Sequence, residues 1–168
     1  FTTAVPQTTT YYVGDHNSFS GYNGMKQINV EKSYTREPKE RMKFEVLRTL
    51  TIDSLSIYLV TTQTIVLDIL AEDQSTKVFT KSYGECTAGN QRLGLNATLE
   101  PGIYYMSAEN SSAKLRHSYG IDENIVFPYT VGGVMSIMGS SVAWNNTQPW
   151  YMYFYNWKIS AGYTYALT

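Results

Sequence analysis

The chain has 168 residues and a formal net charge of −1, with 43% hydrophobic and only 16% charged residues. That is one domain's worth of chain, apolar enough to fold without staples and too apolar for low-hydrophobicity disorder. The weak net charge argues against nucleic acid as the main partner, and no apolar run reaches the ~18 residues of a membrane span.

In chain order, the sequence starts at Phe1 rather than Met. It therefore reads as processed, excised or one part of something larger. Residues 1–13 read as an extended N-terminal segment, and 14–168 as a single β domain. Within the segment, Thr8, Thr10, Tyr11, Tyr12 and Val13 suit a strand donated to a neighbour's sheet. Residues 14–25 are rich in Gly, Asn and Ser and read as a loop leading into the first core strand. Residues 31–43 hold eight charges of mixed sign around Pro38, which reads as a solvated loop and edge.

Period-two patterns dominate from residue 42 onward. Met42 to Val46 alternates apolar and charged residues, and Leu55, Ile57 and Leu59 share one face. Residues 64–70 are nearly continuous apolar and suit a central strand. Further strands are expected at 77–83, 92–99, 103–108, 114–117 and 134–138, and one long strand at 150–159. Aromatic and β-branched enrichment with frequent turn residues gives an all-β fold: an antiparallel two-sheet β-sandwich, jelly-roll or Ig-like, of about eight to ten strands.

Residues that carry chemistry are sparse. His16 and His117 are the two histidines, and no metalloprotease, nucleophile-elbow, P-loop or EF-hand pattern occurs. Cys86, the single cysteine, sits in a turn sequence and reads as a spare thiol. Glu45, Asp53 and Asp68 are isolated on different strands, whereas glycoside hydrolysis needs two converging carboxylates. No catalytic residue and no cofactor is expected. Asp122-Glu123-Asn124 offers oxygen ligands for a structural calcium, with a plain polar loop as the ordinary reading.

The richest constellation is aromatic. Trp144, Trp150, Tyr151, Tyr153, Phe154, Tyr155 and Trp157 crowd into one stretch near the end. Strict alternation would put Tyr151, Tyr153, Tyr155 and Trp157 on one face, and Trp150, Met152, Phe154, Asn156 and Lys158 on the other. Core and sheet packing explains such rows by itself. The functional readings are an interface or a sugar platform, with Trp144 and Trp150 flanking the hydrogen-bonders Asn145 and Gln148. Asn96, Asn110 and Asn145 each open an N-glycosylation sequon, and Asn96 should point outward.

The strand order has a familiar look. Asp53-Ser54-Leu55-Ser56-Ile57-Tyr58 precedes Leu93 to Tyr105 with its Pro101-Gly102 turn. Pro128-Tyr129, Val134-Met135-Ser136-Ile137 and Tyr153-Phe154-Tyr155-Asn156-Trp157-Lys158-Ile159 follow. Over residues 10–160 this resembles a β-sandwich module of Bacteroidota cell-surface and secreted proteins, many of them type IX secretion cargo. Asp53-Ser54-Leu55 also resembles the O-glycosylation signal of those bacteria, making Ser54 a candidate modification site. The resemblance implies a non-enzymatic extracellular module, a structural or adhesive part of a surface assembly or filament. Its partners would be identical subunits, neighbouring domains or glycans. The alternative is a carbohydrate-binding module using exposed Trp and Tyr.

Overall fold

The computed structural model describes residues 18–112, 114–120, 125–141 and 149–162. Thirteen strands run through these residues: β1 (Phe19–Asn23), β2 (Ser33–Arg36), β3 (Met42–Val46), β4 (Leu50–Leu59), β5 (Gln63–Leu70), β6 (Lys77–Cys86), β7 (Gly89–Leu99), β8 (Gly102–Ser107), β9 (Leu115–Tyr119), β10 (Tyr129–Val131), β11 (Met135–Ser140), β12 (Trp150–Tyr151) and β13 (Tyr155–Ala161). A 3-10 turn at Val30–Lys32 precedes β2, with the Asn29 side chain capping it. No helix among the described residues is long and apolar enough to cross a membrane.

All pairings are antiparallel and fall into two sheets. Eight strands carry the topology. Sheet I runs β1-β13-β4-β7, and sheet II runs β3-β8-β5-β6. Ranked along the chain, the first strand pairs the eighth, the eighth the third and the third the sixth; in the other sheet the order is second, seventh, fourth, fifth. That is the connectivity of a jelly roll, a long hairpin rolled so that its strands divide between two sheets. The remaining strands are short additions, which is why thirteen exceeds the eight to ten expected. β10 and β11 extend sheet II beyond β3, while β9 joins β4 at Leu59 and carries β2 and β12 on its two sides.

Alternation sends one side of each strand inward. Met42, Phe44 and Val46 of β3 are buried, as are Leu93, Leu95, Ala97 and Leu99 of β7. On β4 the inward set changes parity, from Leu50 and Ile52 to Leu55, Ile57 and Leu59. The change falls where the β4–β7 register shifts between Ile52 and Ser54, opposite Asn96 at φ +57°. A bulge absorbs such a shift, and Asn tolerates the left-handed conformation. Each fully buried Leu, Ile or Phe contributes roughly 1.5–3 kcal/mol, so these rows dominate the folding energy.

Two sequence expectations change. β1 forms inside the stretch read as a loop, because Phe19–Asn23 finds a full five-residue register on β13. The strand expected at 150–159 is two strands, β12 and β13, separated by a corner at 152–154 where Tyr153 takes φ +52°. The chain there passes from beside β9 to beside β4.

The two open flanks of the sandwich are stitched by side chains. On one, Lys81 Nζ and the Tyr83 hydroxyl of β6 donate to the Gly94 carbonyl of β7, at 2.6 and 3.1 Å. On the other, Asn23 Nδ2 of β1 donates to the Tyr129 carbonyl of β10 at 3.1 Å. Past the end of β8, the following loop runs on beside β5. Ser111 Oγ donates to the Val66 carbonyl and accepts from its N–H, taking the place of a strand that has ended.

Beside it lies the buried carboxylate of Asp68, 1% exposed. It accepts from Thr80 Oγ1 and Asn110 Nδ2 at 2.6 Å each, and from Lys77 Nζ at 3.0 Å. Burial alone would raise its pKa, but the three donors together hold it below the usual carboxylate value. Asp68→Ala strands those donors and is expected to cost about 2–3 kcal/mol in urea unfolding at pH 7. Because the folded pKa is depressed, this stabilisation is present above the unfolded carboxylate pKa. It is lost as pH falls through the folded one, so the gap between D68A and the parent narrows in acid.

Candidate functional site

The outward side of sheet I is a polar face crossed by one long side chain. Arg92 leaves β7 and reaches over β4. Its Nε donates to Ser54 Oγ at 3.0 Å, Nη1 to Ser56 Oγ at 3.2 Å, and Nη2 to the Ser54 carbonyl at 3.3 Å. Nη1 also donates to the Asn156 carbonyl of β13. The guanidinium ends over the ring of Tyr22 on β1, 5.6 Å from its centroid. One side chain thereby spans all four strands of the sheet, a reach that the planar five-donor fork of arginine permits. Burial lowers the Arg92 pKa from its ordinary value, yet an arginine stays charged at neutral pH.

Asn156 lies at a second irregularity. Three steps along β13, from Tyr155 to Lys158, oppose two along β4, from Ser56 to Ser54. Asn156 takes φ +50° there, and its N–H donates to the Met25 carbonyl at 2.7 Å. The bulge turns its own carbonyl toward Arg92 and ties the segment after β1 over the sheet. That segment must pass close to the core. Gly24 has φ +78°, and a Cβ on it would collide with the Tyr151 hydroxyl.

Between these parts is a hollow of about 200 Å³, with Lys26 and Gln27 on one side, Ser56, Tyr58 and Asn90 on the strands, and Asn156 at the bulge. Behind Tyr58, Arg116 of β9 lies over the ring at 5.5 Å and donates to Ser33 Oγ and the Val30 carbonyl. Lys158 pairs with Tyr22 across β13 and β1. Lys26, Arg92, Arg116 and Lys158 thus surround this face, and none of them is in an ion pair among the described residues. The carboxylate on the same four strands is Asp53, which accepts from Ser160 Oγ at 2.9 Å.

The aromatic candidates fall elsewhere. Tyr151, Tyr153 and Tyr155 are buried side by side with Met152, Phe154 and Trp157, so they are core rather than an outward platform. Period-two alternation fails at the corner because both sides of the chain meet protein there. The Tyr153 hydroxyl donates to the Glu37 carbonyl at 2.9 Å, and the indole of Trp157 to the Phe154 carbonyl at 2.7 Å. Burial raises the pKa of Tyr151 and Tyr153. Trp150 is half-buried in a ring cluster with His117, Tyr119 and Tyr34, at centroid distances of 4.9, 4.6 and 6.1 Å.

Trp144, Asn145 and Gln148 lie outside the described residues, as do Thr8, Thr10, Tyr11, Tyr12, Val13 and Asp122 to Asn124. Among the described residues, no group of three His, Cys, Asp or Glu is placed to hold a metal ion. Cys86 is buried, and burial pushes its thiol pKa up. Of the modification candidates, Asn96 is exposed, Asn110 is engaged with Asp68, and the Ser54 hydroxyl lies under Arg92. Tyr22, Tyr58, Asn90, Arg92 and Asn156 were not singled out by sequence reasoning as a site. The signal available was the polar side of otherwise alternating strands.

Comparison with family models, with curated proteins and with solved structures returned no match.

His117 is 2% exposed, and neither ring nitrogen has a hydrogen-bond partner among the described residues. Desolvation, reinforced by Arg36, lowers its pKa to about 4. The unfolded chain takes up that proton near pH 6.5, so stability falls as pH drops from there toward 4. The loss amounts to about 3 kcal/mol at most. His117→Phe keeps the ring contacts and removes the titration. Urea midpoints at pH 7 and pH 4.5 should therefore lie closer together in H117F than in the parent; an unchanged difference would rule out His117 as the source.

Proposed function

We propose that this chain is a non-enzymatic adhesive module of an extracellular surface assembly, and that the outward face of sheet I is its contact face. The observation that carries the reading is the Arg92 arrangement. A guanidinium pinned across β7, β4 and β13 ends on an exposed tyrosine, among cations that form no ion pair among the described residues. Tyr22 is 59% exposed although it belongs to a paired strand. Rigid aromatic and arginine groups held by the scaffold lose little freedom on binding, which is what a contact face needs. The resemblance to Bacteroidota surface modules supports the extracellular setting. Burial of Tyr151, Tyr153 and Tyr155 moves the carbohydrate reading away from them, and the sheet face offers polar and aromatic groups for it instead.

The test uses the full chain passed over immobilised polysaccharides, both neutral (glucan, mannan) and acidic (polygalacturonate). The parent should be retained by at least one. Tyr22→Ala combined with Lys158→Glu should weaken retention at least fivefold, with the thermal midpoint held within about 3 °C, as expected of surface changes. Retention by none of these, or equal retention of the double variant, would overturn the reading.

A further inference from the structure

We infer that the hollow between the Lys26–Gln27 segment and the bulge at Asn156 is a subsite for a carboxylate-bearing sugar residue, a uronate unit of a glycan; this rests on the adhesive reading of the same face. Three features carry it.

The first is unspent hydrogen-bonding capacity. The side-chain amides of Gln27, Asn90 and Asn156 line the hollow and make no hydrogen bond with the protein among the described residues. Asn23, Asn29 and Asn110 spend theirs internally: Asn23 holds Gly24 and Tyr129, Asn29 caps the 3-10 turn, and Asn110 binds Asp68. A primary amide both donates and accepts, and so does a sugar hydroxyl, so converging amides suit a polyhydroxylated ring.

The second is built geometry. Asn156 takes a left-handed conformation that fixes its backbone between Met25 and Arg92. Bulges of this kind recur beside functional sites, where they re-aim a side chain. Strand residues Ser56, Ile57, Tyr58 and Asn90 form one part of the lining, with Arg116 stacked behind Tyr58, and the 26–28 segment forms another, so the hollow is already shaped without ligand. Its volume of about 200 Å³ suits one ring-sized group rather than an extended ligand.

The third is charge. Lys26 stands at the hollow, Arg92 adjoins it through Ser56 and the Asn156 carbonyl, and Arg116 backs Tyr58. Among the described residues none of the three is in an ion pair, and Lys26 alone of them lines the hollow with no acceptor, so a neutral sugar would leave its charge unused. A ligand carboxylate supplies an anionic acceptor for Lys26 beside the positive field of the two arginines. An acidic peptide shares that charge but fits the position less well. A peptide brings carboxylates but not the ring of hydroxyls that the amides of Gln27, Asn90 and Asn156 would bond, and β4 at the hollow is paired with β7 throughout and with β13 as far as Ser56.

The experiment is calorimetric titration of the full chain with trigalacturonate, its methyl ester and a hexaglutamate peptide. Trigalacturonate should bind at least tenfold more tightly than the ester, and more tightly than the peptide. Lys26→Gln and Asn156→Gly should each weaken it about fivefold or more. Glycine accepts φ +50° without strain, so N156G removes the amide while keeping the bulge, and an unchanged thermal midpoint verifies this. Equal binding of acid and ester, tighter binding of the peptide, no binding of trigalacturonate, or full affinity in both variants would each overturn the uronate subsite. If the chain is retained on neutral glucan or mannan while trigalacturonate fails, the ligand class is wrong and the adhesive face survives; if no polysaccharide retains it, both fall.

Discussion

Trp157 stands edge-on to Phe44 with ring centroids 5.1 Å apart, and this contact joins sheet I to sheet II at the centre of the fold. Phe44 in turn stacks on Tyr104, while Tyr151 stacks flat on Phe127 and tilts against Tyr155. A module without disulfides holds its two layers together through such contacts. Aromatic pairs add roughly 0.5–1.5 kcal/mol beyond their buried area, and their geometry resists sliding of one sheet over the other. The corner at 152–154 follows from this packing. To place Tyr151, Tyr153, Phe154, Tyr155 and Trp157 all inside, the chain abandons regular pleating and accepts a left-handed tyrosine.

That inward aromatic investment leaves the outward face of sheet I to polar chemistry. Where the core-facing side is fixed by ring packing, the outer side is fixed by Arg92, which bonds two serines of β4 and a carbonyl of β13. The bulge at Asn156 belongs to both systems. It lets Tyr155 and Trp157 stay in the core while its own backbone bonds point outward and sideways. The outward face of sheet I is thus held in place by an irregularity it shares with the core.

Much of this was legible in the sequence. Rows such as Leu93, Leu95, Ala97 and Leu99, or Met42, Phe44 and Val46, announce one buried side by their period, and the two-sheet class follows from them. β1 escaped because Ser, Gly and Asn dominate it; its strand character comes from pairing with β13, a partner more than 130 residues away in the chain. The aromatic run misled for the opposite reason. Tyr and Phe have high strand propensity, and nothing local signals that Tyr153 will take φ +52°. The candidate site on the sheet face was hidden because its members are ordinary outward residues, scattered from Tyr22 to Asn156, which only the rolled topology brings together.

The side-chain stitches along the two flanks bear on how copies or neighbouring domains can meet. A sandwich with bare edges invites continuation of its sheets into the next molecule. Here β6 and β7 are laced by Lys81 and Tyr83, and β1 and β10 by Asn23, so both margins already spend hydrogen-bonding capacity internally. Lateral growth there would have to unpick these bonds first. At Gly94 and Tyr129 the two layers are therefore laced to each other, and a strand approaching either margin meets a carbonyl that is already in use.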